Sequence, residues 1–438
     1  MKILYVTQRL PFGPGESFIV PEIQALLEAG HEVLVVPRLG GEPVRHDDVA
    51  EIVRRTRRLP GSAAVAATVA ASVVRRPRAT AAAFWRLRHR RPRRRVTYNA
   101  LATAQGLWLA RLARQWGADH IHAHWAHLTA TMAMAAAEAS GIPWSFTAHR
   151  YDVVLNNLLD QKLRSARFGR FIARCMLDLA RPWLSPEALR RTAVIHMGVD
   201  VPERLVPPRP RPIPILLCPA RLVPVKGQRY LVEAAGQLAR RGIRFELWLA
   251  GDGPNRADLV SRIAQTGVTE QVRLLGALPH RELLGLYRRG EVDVVVLPSL
   301  DLGGGEHEGI SVAAIEPMAW GLPVVSTSTG GMPELLERGA GVLVAPADGA
   351  ALADALASLV QSPERRAGLG RAARQRILEE FDVRLIAAEL ARRFADRTGG
   401  PVAGPGPPPV AVAAGAPGAD PWAKSSRSIM APAEPEDA

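Results

Sequence analysis

EHEGISVAAIEPMAWGLPVVSTSTGG, residues 306–331, decides how the chain is read: Glu308 and Glu316 stand eight positions apart on what reads as a short helix opening beside a glycine. At about 100° per residue this spacing puts both carboxylates on roughly one helix face, about 12 Å apart along the axis. One then reaches the near end of a charged, polyhydroxylated ligand and the other its far end. A Gly-rich loop, LDLGGG (300–305), precedes the segment, and an apolar strand, PVVSTST (323–329), closes it. Loop, helix N-terminus, helix and strand is the context of phosphate-binding α/β units. There the backbone N–H groups opening the helix, here those of Gly309, Ile310 and Ser311, face an anion. A surface helix with two solvated acids shows the same spacing, so the reading rests on the surroundings.

Outward from this segment the chain alternates strand and helix. In the second half ILLCPA, a helix to Arg241, FELWLAG, a helix to Gly267, VRLLG, a helix, VDVVVLPS, the carboxylate-bearing helix, PVVSTST and GVLVAP follow one another. Strands separated by helices of about 10–15 residues predict a doubly wound parallel sheet, with ligands at the strands' carboxyl ends. The first half opens on KILYVTQ, an amphipathic FIVPEIQALLEAG stopped by Gly30, and HEVLVVP, a β-α-β unit. It resumes with DHIHAHW, an Ala-rich helix stopped by Gly141, and WSFTAH. The fold class is therefore α/β, with two Rossmann-like doubly wound domains facing across a cleft. The boundaries read as a first domain over 1–200 with a basic insertion at 52–118, a Pro-dense linker at 201–214, and a second domain over 215–362. Helices at 363–397 close the fold, and a Pro/Gly/Ala-rich, aperiodic tail at 398–438 reads as disordered.

A chain of 438 residues that is 47% apolar supports sizeable cores. Its two cysteines, Cys175 and Cys218, lie in separate domains without metal-ligand neighbours, so no disulfide framework or zinc site is implied. MKILYVTQ reads as a strand and not as a secretory signal, which points to a cytoplasmic location. From Ile52 to Ala118 there is no Asp or Glu and there are sixteen Arg, so this window carries +16 against a total of +14. Within it GSAAVAATVAASVV (61–74) falls short of the roughly 20 apolar residues that span a bilayer. Arg-rich flanks and Phe84 and Trp85 suggest an amphipathic element over 52–95 lying on an anionic membrane surface, such as the inner face of the plasma membrane. A solvated basic face remains open; nucleic acid is the less favoured partner.

SFIVPEIQALLEAGHEV (17–33), SFTAHRYDV (145–153), VIHMGVD (194–200), ARLVPVKG (220–227), LAGDGP (249–254) and the E-x7-E segment occur in this order. Together they resemble the retaining, nucleotide-sugar-dependent glycosyltransferases of GT-B family 4, and the likeness covers about 1–395. The loop PFGPGESF (11–18) resembles the SETFI loop of exopolysaccharide and colanic-acid-type members, with Glu16, Ser17 and Phe18 matching and Gly15 replacing the first serine. The resemblance implies a GT-B fold whose closing helices return to the first domain. It also implies Glu308 on hydroxyls of the donor sugar, Glu316 on the ribose hydroxyls, and His149 near the sugar's reacting end. Pro317, where the family more often has Ala, removes an i→i−4 bond and predicts a kink that tilts Glu316.

The chemistry of these residues is coherent. ARLVPVKG follows a strand, which places Arg221 and Lys226 at its C-terminal edge, where two cations stabilise the charge developing on a departing diphosphate. No D-x-D triplet occurs, so the expected donor site needs no metal or cofactor, with the nucleotide-diphosphate sugar as co-substrate. His149 ends WSFTAH; its neutral imidazole can hydrogen-bond a sugar hydroxyl or help the acceptor lose its proton, while Asp152 orients the ring or the acceptor. His120, His122 and His124 alternate on one strand face, a spacing compatible with metal binding but favoured here as buried polar groups. His124, Glu16 and Ser17 are the acceptor-side candidates. Gly13 and Gly15, and Gly251 and Gly253 of LAGDGP, sit in loops where glycine lets backbone approach a donor.

The function expected is transfer of a hexose from a nucleotide-diphosphate sugar to a lipid-linked or membrane-held glycan, with retention implied by the resemblance. Two alternatives stand beside it. One is a transferase acting on a soluble sugar or small molecule, and the other is a non-catalytic membrane- or nucleic-acid-binding scaffold on the same frame.

Overall fold

The structure, a computed structural model, describes residues 1–396 except 14, 41–42, 45–48, 76, 86–92, 207–210 and 304–306. The tail expected from 398 and the end of LDLGGG lie outside the described residues.

Two six-stranded parallel sheets carry the chain. The first contains β1 (Lys2–Thr7), β2 (Glu32–Pro37), β3 (His120–His124), β4 (Trp144–Ala148), β5 (Gly169–Phe171) and β6 (Thr192–Val194), in the order β2-β1-β3-β4-β5-β6. The second contains β7 (Ile215–Pro219), β8 (Glu246–Ala250), β9 (Val272–Gly276), β10 (Val294–Leu297), β11 (Val324–Thr327) and β12 (Val342–Val344), in the order β12-β11-β10-β7-β8-β9. Central strands such as ILYV and VVVL are apolar at consecutive positions because helices cover both faces. Strand order reverses between β1 and β3 and again between β7 and β10, which opens a crevice at the carboxyl ends of each pair.

The faces of the first sheet differ. Leu4, Val6, Ile121, Ala123, Phe146 and Ala148 enter a core shared with the helices Arg93–Trp116 and Leu128–Ser140. Those helices pack so closely that a Cβ on Gly106 would lie 2.5 Å from the Met132 carbonyl oxygen, which explains the Ala-rich partner. On the other face Ile3 and Tyr5 meet Ile19, Ile23 and Leu26 together with Ile386, Leu390 and Phe394. The last three belong to Val383–Ala395, so this helix, following the second sheet, lies on the first. Glycines stop helices where the pattern places them: Gly30 and Gly141 adopt φ of 81° and 78°.

Contacts across the two halves are ionic as well as apolar. Arg174 donates from its backbone N to Glu334 and from its guanidinium to Glu337, both at 2.7 Å. His196 meets Glu334 at 2.7 Å and stacks on Phe381 at 4.4 Å. Within the basic insertion the helix Ser62–Arg75 buries only Val65 and leaves Val74 81% exposed. Among the described residues no helix is long and apolar enough to cross a membrane.

Candidate active site

On the second sheet the loop after β7 turns through Pro224–Lys226 into the helix Gln228–Arg240. Gly227 makes that turn possible. Its φ is 64° and a Cβ there would lie 1.9 Å from the Pro298 carbonyl oxygen, at the end of β10. The turn aims Lys226 at the loop after β10, where its Nζ meets Glu308 Oε1 at 2.8 Å with both side chains largely buried. Arg221 stands exposed at the end of β7, its carbonyl oxygen accepting from Gln228 Nε2 at 2.8 Å.

The helix of the E-x7-E segment begins later than its spacing suggests. It runs Val312–Ala319 with Ser311 as N-cap, so Glu308 lies in the preceding loop and does not share a helix face with Glu316. The cause is non-local. Gly330 packs against this loop so tightly that a Cβ would lie 1.7 Å from the Glu308 carbonyl oxygen, and one on Gly331 would lie 2.8 Å from Ile310 N. The loop is thus held against the end of β11, and Gly309 and Ile310 precede the helix. Pro317 sits inside the helix, which ends two residues later at Ala319. Glu316 is paired with the exposed His280, Oε1 to Nε2 at 2.7 Å.

The glycines of LAGDGP meet protein backbone. A Cβ on Gly251 would lie 2.0 Å from the Ala220 carbonyl oxygen, and one on Gly253, at φ 154°, 2.5 Å from that of Leu222. Their first role is to lock the loop after β8 onto the loop bearing Arg221.

On the first sheet the loop after β1 is organised by Glu16. Its buried carboxylate accepts from the backbone N of Gln8, Arg9 and Leu10 at 3.0, 2.5 and 2.7 Å, and from Trp125 Nε1 at 2.6 Å. Gly13 and Gly15 take positive φ in this loop, and Gly15 has no neighbour within 4 Å of a built Cβ. Ser17 opens a single 3-10 turn leading into the helix Val20–Glu28. Gln8, Arg9, Gly15, Glu16, Trp125, His127 and Tyr151 line an open cavity of about 220 Å³. Trp125, at φ 72°, forms its wall and packs against His149 with ring centroids 4.4 Å apart and the rings tilted by 38°.

His149 follows β4 directly and is the N-cap of the helix Arg150–Leu155, its backbone N–H donating to the Asp152 side chain. Asp152 is fixed by backbone and not by the His149 ring: its Oδ2 accepts from His149 N at 3.0 Å and Ala126 N at 2.8 Å, while buried Oδ1 has no hydrogen-bond partner. Burial pushes its carboxyl up to about 7, against the pull of those two N–H groups and Lys162. Burial, then His124 and Arg170, hold His149 well below the ordinary histidine range, so its ring is neutral.

His124 is fully buried and does not open on the cavity. Its Nδ1 faces His149 Nε2 at 3.4 Å and its Nε2 faces Glu22 Oε1 at 3.0 Å. Glu22 also accepts from Tyr5 Oη at 2.9 Å and pairs with Arg170. Burial would raise the Glu22 carboxyl, and Arg170 and His124 outweigh it, leaving the group well below the usual carboxylate range. His120 and His122 bond Ser145 Oγ at 2.8 Å each, and His122 reaches Thr147 Oγ1 at 3.0 Å. Glu22, His122 and His124 offer ligand atoms within 4.8 Å of one another. Their donors already have these partners, and the Arg170 guanidinium beside them disfavours a cation.

A family model, "Glycosyl transferases group 1", matches residues 205–376, which hold Lys226, Glu308 and Glu316. The glycogen synthase of Mycobacterium tuberculosis H37Rv is 31% identical over 308 residues, covering 66% of this chain and 72% of that protein. The chain belongs to the group 1 glycosyl transferases. As a group 1 member it is also 37% identical over 177 residues to the amylovoran biosynthesis glycosyltransferase AmsK of Erwinia amylovora, covering 40% of this chain and 43% of AmsK. Glycogen synthase apart, the chain spans about half the length of the curated relatives it matches. Anabaena HepE, solved in complex with UDP, superposes with a TM-score of 0.63 at 18% identity over 90% of this chain and 99% of HepE. That likeness carries the fold, GT-B.

Proposed function

We propose that this group 1 protein is a retaining glycosyltransferase that moves a hexose from a nucleotide-diphosphate sugar to a lipid-linked or membrane-held glycan in exopolysaccharide biosynthesis. The observation that carries the reading is the Lys226–Glu308 pair at 2.8 Å, which sets a cation and a hydroxyl acceptor side by side at the switch point of the second sheet. Lys226 and Arg221 stabilise the diphosphate as the anomeric C–O bond breaks, with the N–H groups of Gly309, Ile310 and Ser311 as further donors. Glu308 holds donor-sugar hydroxyls and Glu316 the ribose diol, for which His280 must yield. The acceptor hydroxyl enters from the cavity beside Trp125, forms the new C–O bond, and passes its proton to a leaving diphosphate oxygen on the same face. No metal or other cofactor takes part in this scheme.

Likeness to AmsK, named for amylovoran biosynthesis, supports a polysaccharide acceptor. The basic helices between 62 and 116, with Val73 and Val74 half or more exposed, suit docking on anionic lipid from the cytoplasmic side. A donor screen with purified protein and anomer analysis of the product tests the reading. Nucleotide release coupled to a product with the donor's anomeric configuration supports it, and no binding of any nucleotide sugar overturns it.

A further inference from the structure

Beneath the acceptor-side cavity runs a buried polar column that the proposed chemistry does not use. It starts at Arg170 and Glu22, passes through His124 and His149, and ends on Trp125. Glu22, ionised and paired with Arg170, is acceptor-only, so the hydrogen in its 3.0 Å contact with His124 sits on His124 Nε2. His124 Nδ1 in turn faces His149 Nε2 at 3.4 Å, so the two rings share one contact in the line from Glu22. Held by this contact and by the edge-on ring of Phe18 at 5.2 Å, the His149 ring lies tilted by 38° against the Trp125 indole, with centroids 4.4 Å apart. Trp125 is held from its other end by Glu16, through Nε1 at 2.6 Å.

We propose that Glu22 is a positioning residue for the acceptor-side cavity: through His124 it fixes the plane of His149, and through that ring the pose of Trp125. The inference rests on the transferase reading only for its kinetic consequence. The column itself follows from buried contacts between β3, β4 and the helix Val20–Glu28. A non-glycine residue at φ 72° persists only where its surroundings over-determine it, and the column and Glu16 supply that from two sides.

The test uses full-length protein with ¹⁵N-labelled imidazole and indole nitrogens, in wild type and in His124→Asn, which leaves the Glu22–Arg170 pair intact. In His124→Asn the Trp125 indole resonance moves. With UDP-glucose and an alkyl glucoside as probes, the variant's acceptor KM rises about tenfold while the donor KM stays within about twofold. An unmoved Trp125 resonance in the folded variant overturns the proposal, as does an equal rise of both KM values. Absence of transfer in the wild type with a panel of nucleotide sugars instead overturns the proposed function, and the resonances still decide the column.

Discussion

At the scale of single residues, Lys226 and Glu308 carry the proposed donor side, each partly buried group having the other for its partner. Lys226→Ala and Glu308→Ala are each expected to lower kcat/KM about 100-fold or more with the thermal midpoint little changed, and full activity in either removes that residue from the site. Asp152 and His127 make opposite predictions with pH. The native Asp152 carboxyl, raised to about 7, holds a proton that the unfolded chain has released, so its stabilisation is present at low pH and lost as pH rises towards 7. Burial, with Lys162 and Arg38, lowers His127 to about 3, so the unfolded chain binds the extra proton and stability is lost as pH falls below 6.5. Each slope is at most about 1.4 kcal/mol per pH unit. Urea midpoints of Asp152→Asn should gain on the wild type between pH 4 and 7. Those of His127→Asn, which keeps the cap on Leu128, should gain below pH 6.5. A pH-independent difference in either variant contradicts its assignment.

At the scale of elements, the strands and helix stops were legible because their signals are local: consecutive apolar residues, a 3.6 period, and glycine where φ turns positive. The start of the E-x7-E helix was not, since Gly330 beneath the Glu308 carbonyl sets it from outside the repeat. Glu22 was invisible for a similar reason. It sits in an amphipathic helix as one acid among apolar neighbours, and its partners His124 and Arg170 are 102 and 148 positions away. The GG of VVSTSTGG stood in the quoted segment without a role, which only close approach supplies. Gly330→Ala should therefore displace the Glu308 loop and weaken nucleotide-sugar binding measured by calorimetry. Gly30→Ala, at φ 81° with no neighbour within 4 Å, should cost only about 1 kcal/mol of stability and leave binding intact. Equal donor affinity in the Gly330 variant and the wild type removes the loop from the donor site.

At the scale of the molecule, two parallel sheets each present their loops at a reversal of strand order. The donor candidates gather on one and His149, Glu16 and the Trp125 cavity on the other. The charge excess was plain in the sequence, but which surface it covers depends on how the helices between 62 and 116 pack on the first domain. Flotation with liposomes containing anionic lipid should carry the protein upward in low salt and release it in high salt. Failure to float at low salt leaves the soluble-acceptor reading in its place. The most direct measurement remains turnover itself: purified protein, a panel of nucleotide-diphosphate hexoses with a glycan acceptor, and NMR of the product's anomeric centre. Release of the nucleoside diphosphate with the donor's anomeric configuration preserved is the predicted result; an inverted linkage contradicts retention, and no turnover or binding of any nucleotide sugar contradicts the transferase reading as a whole.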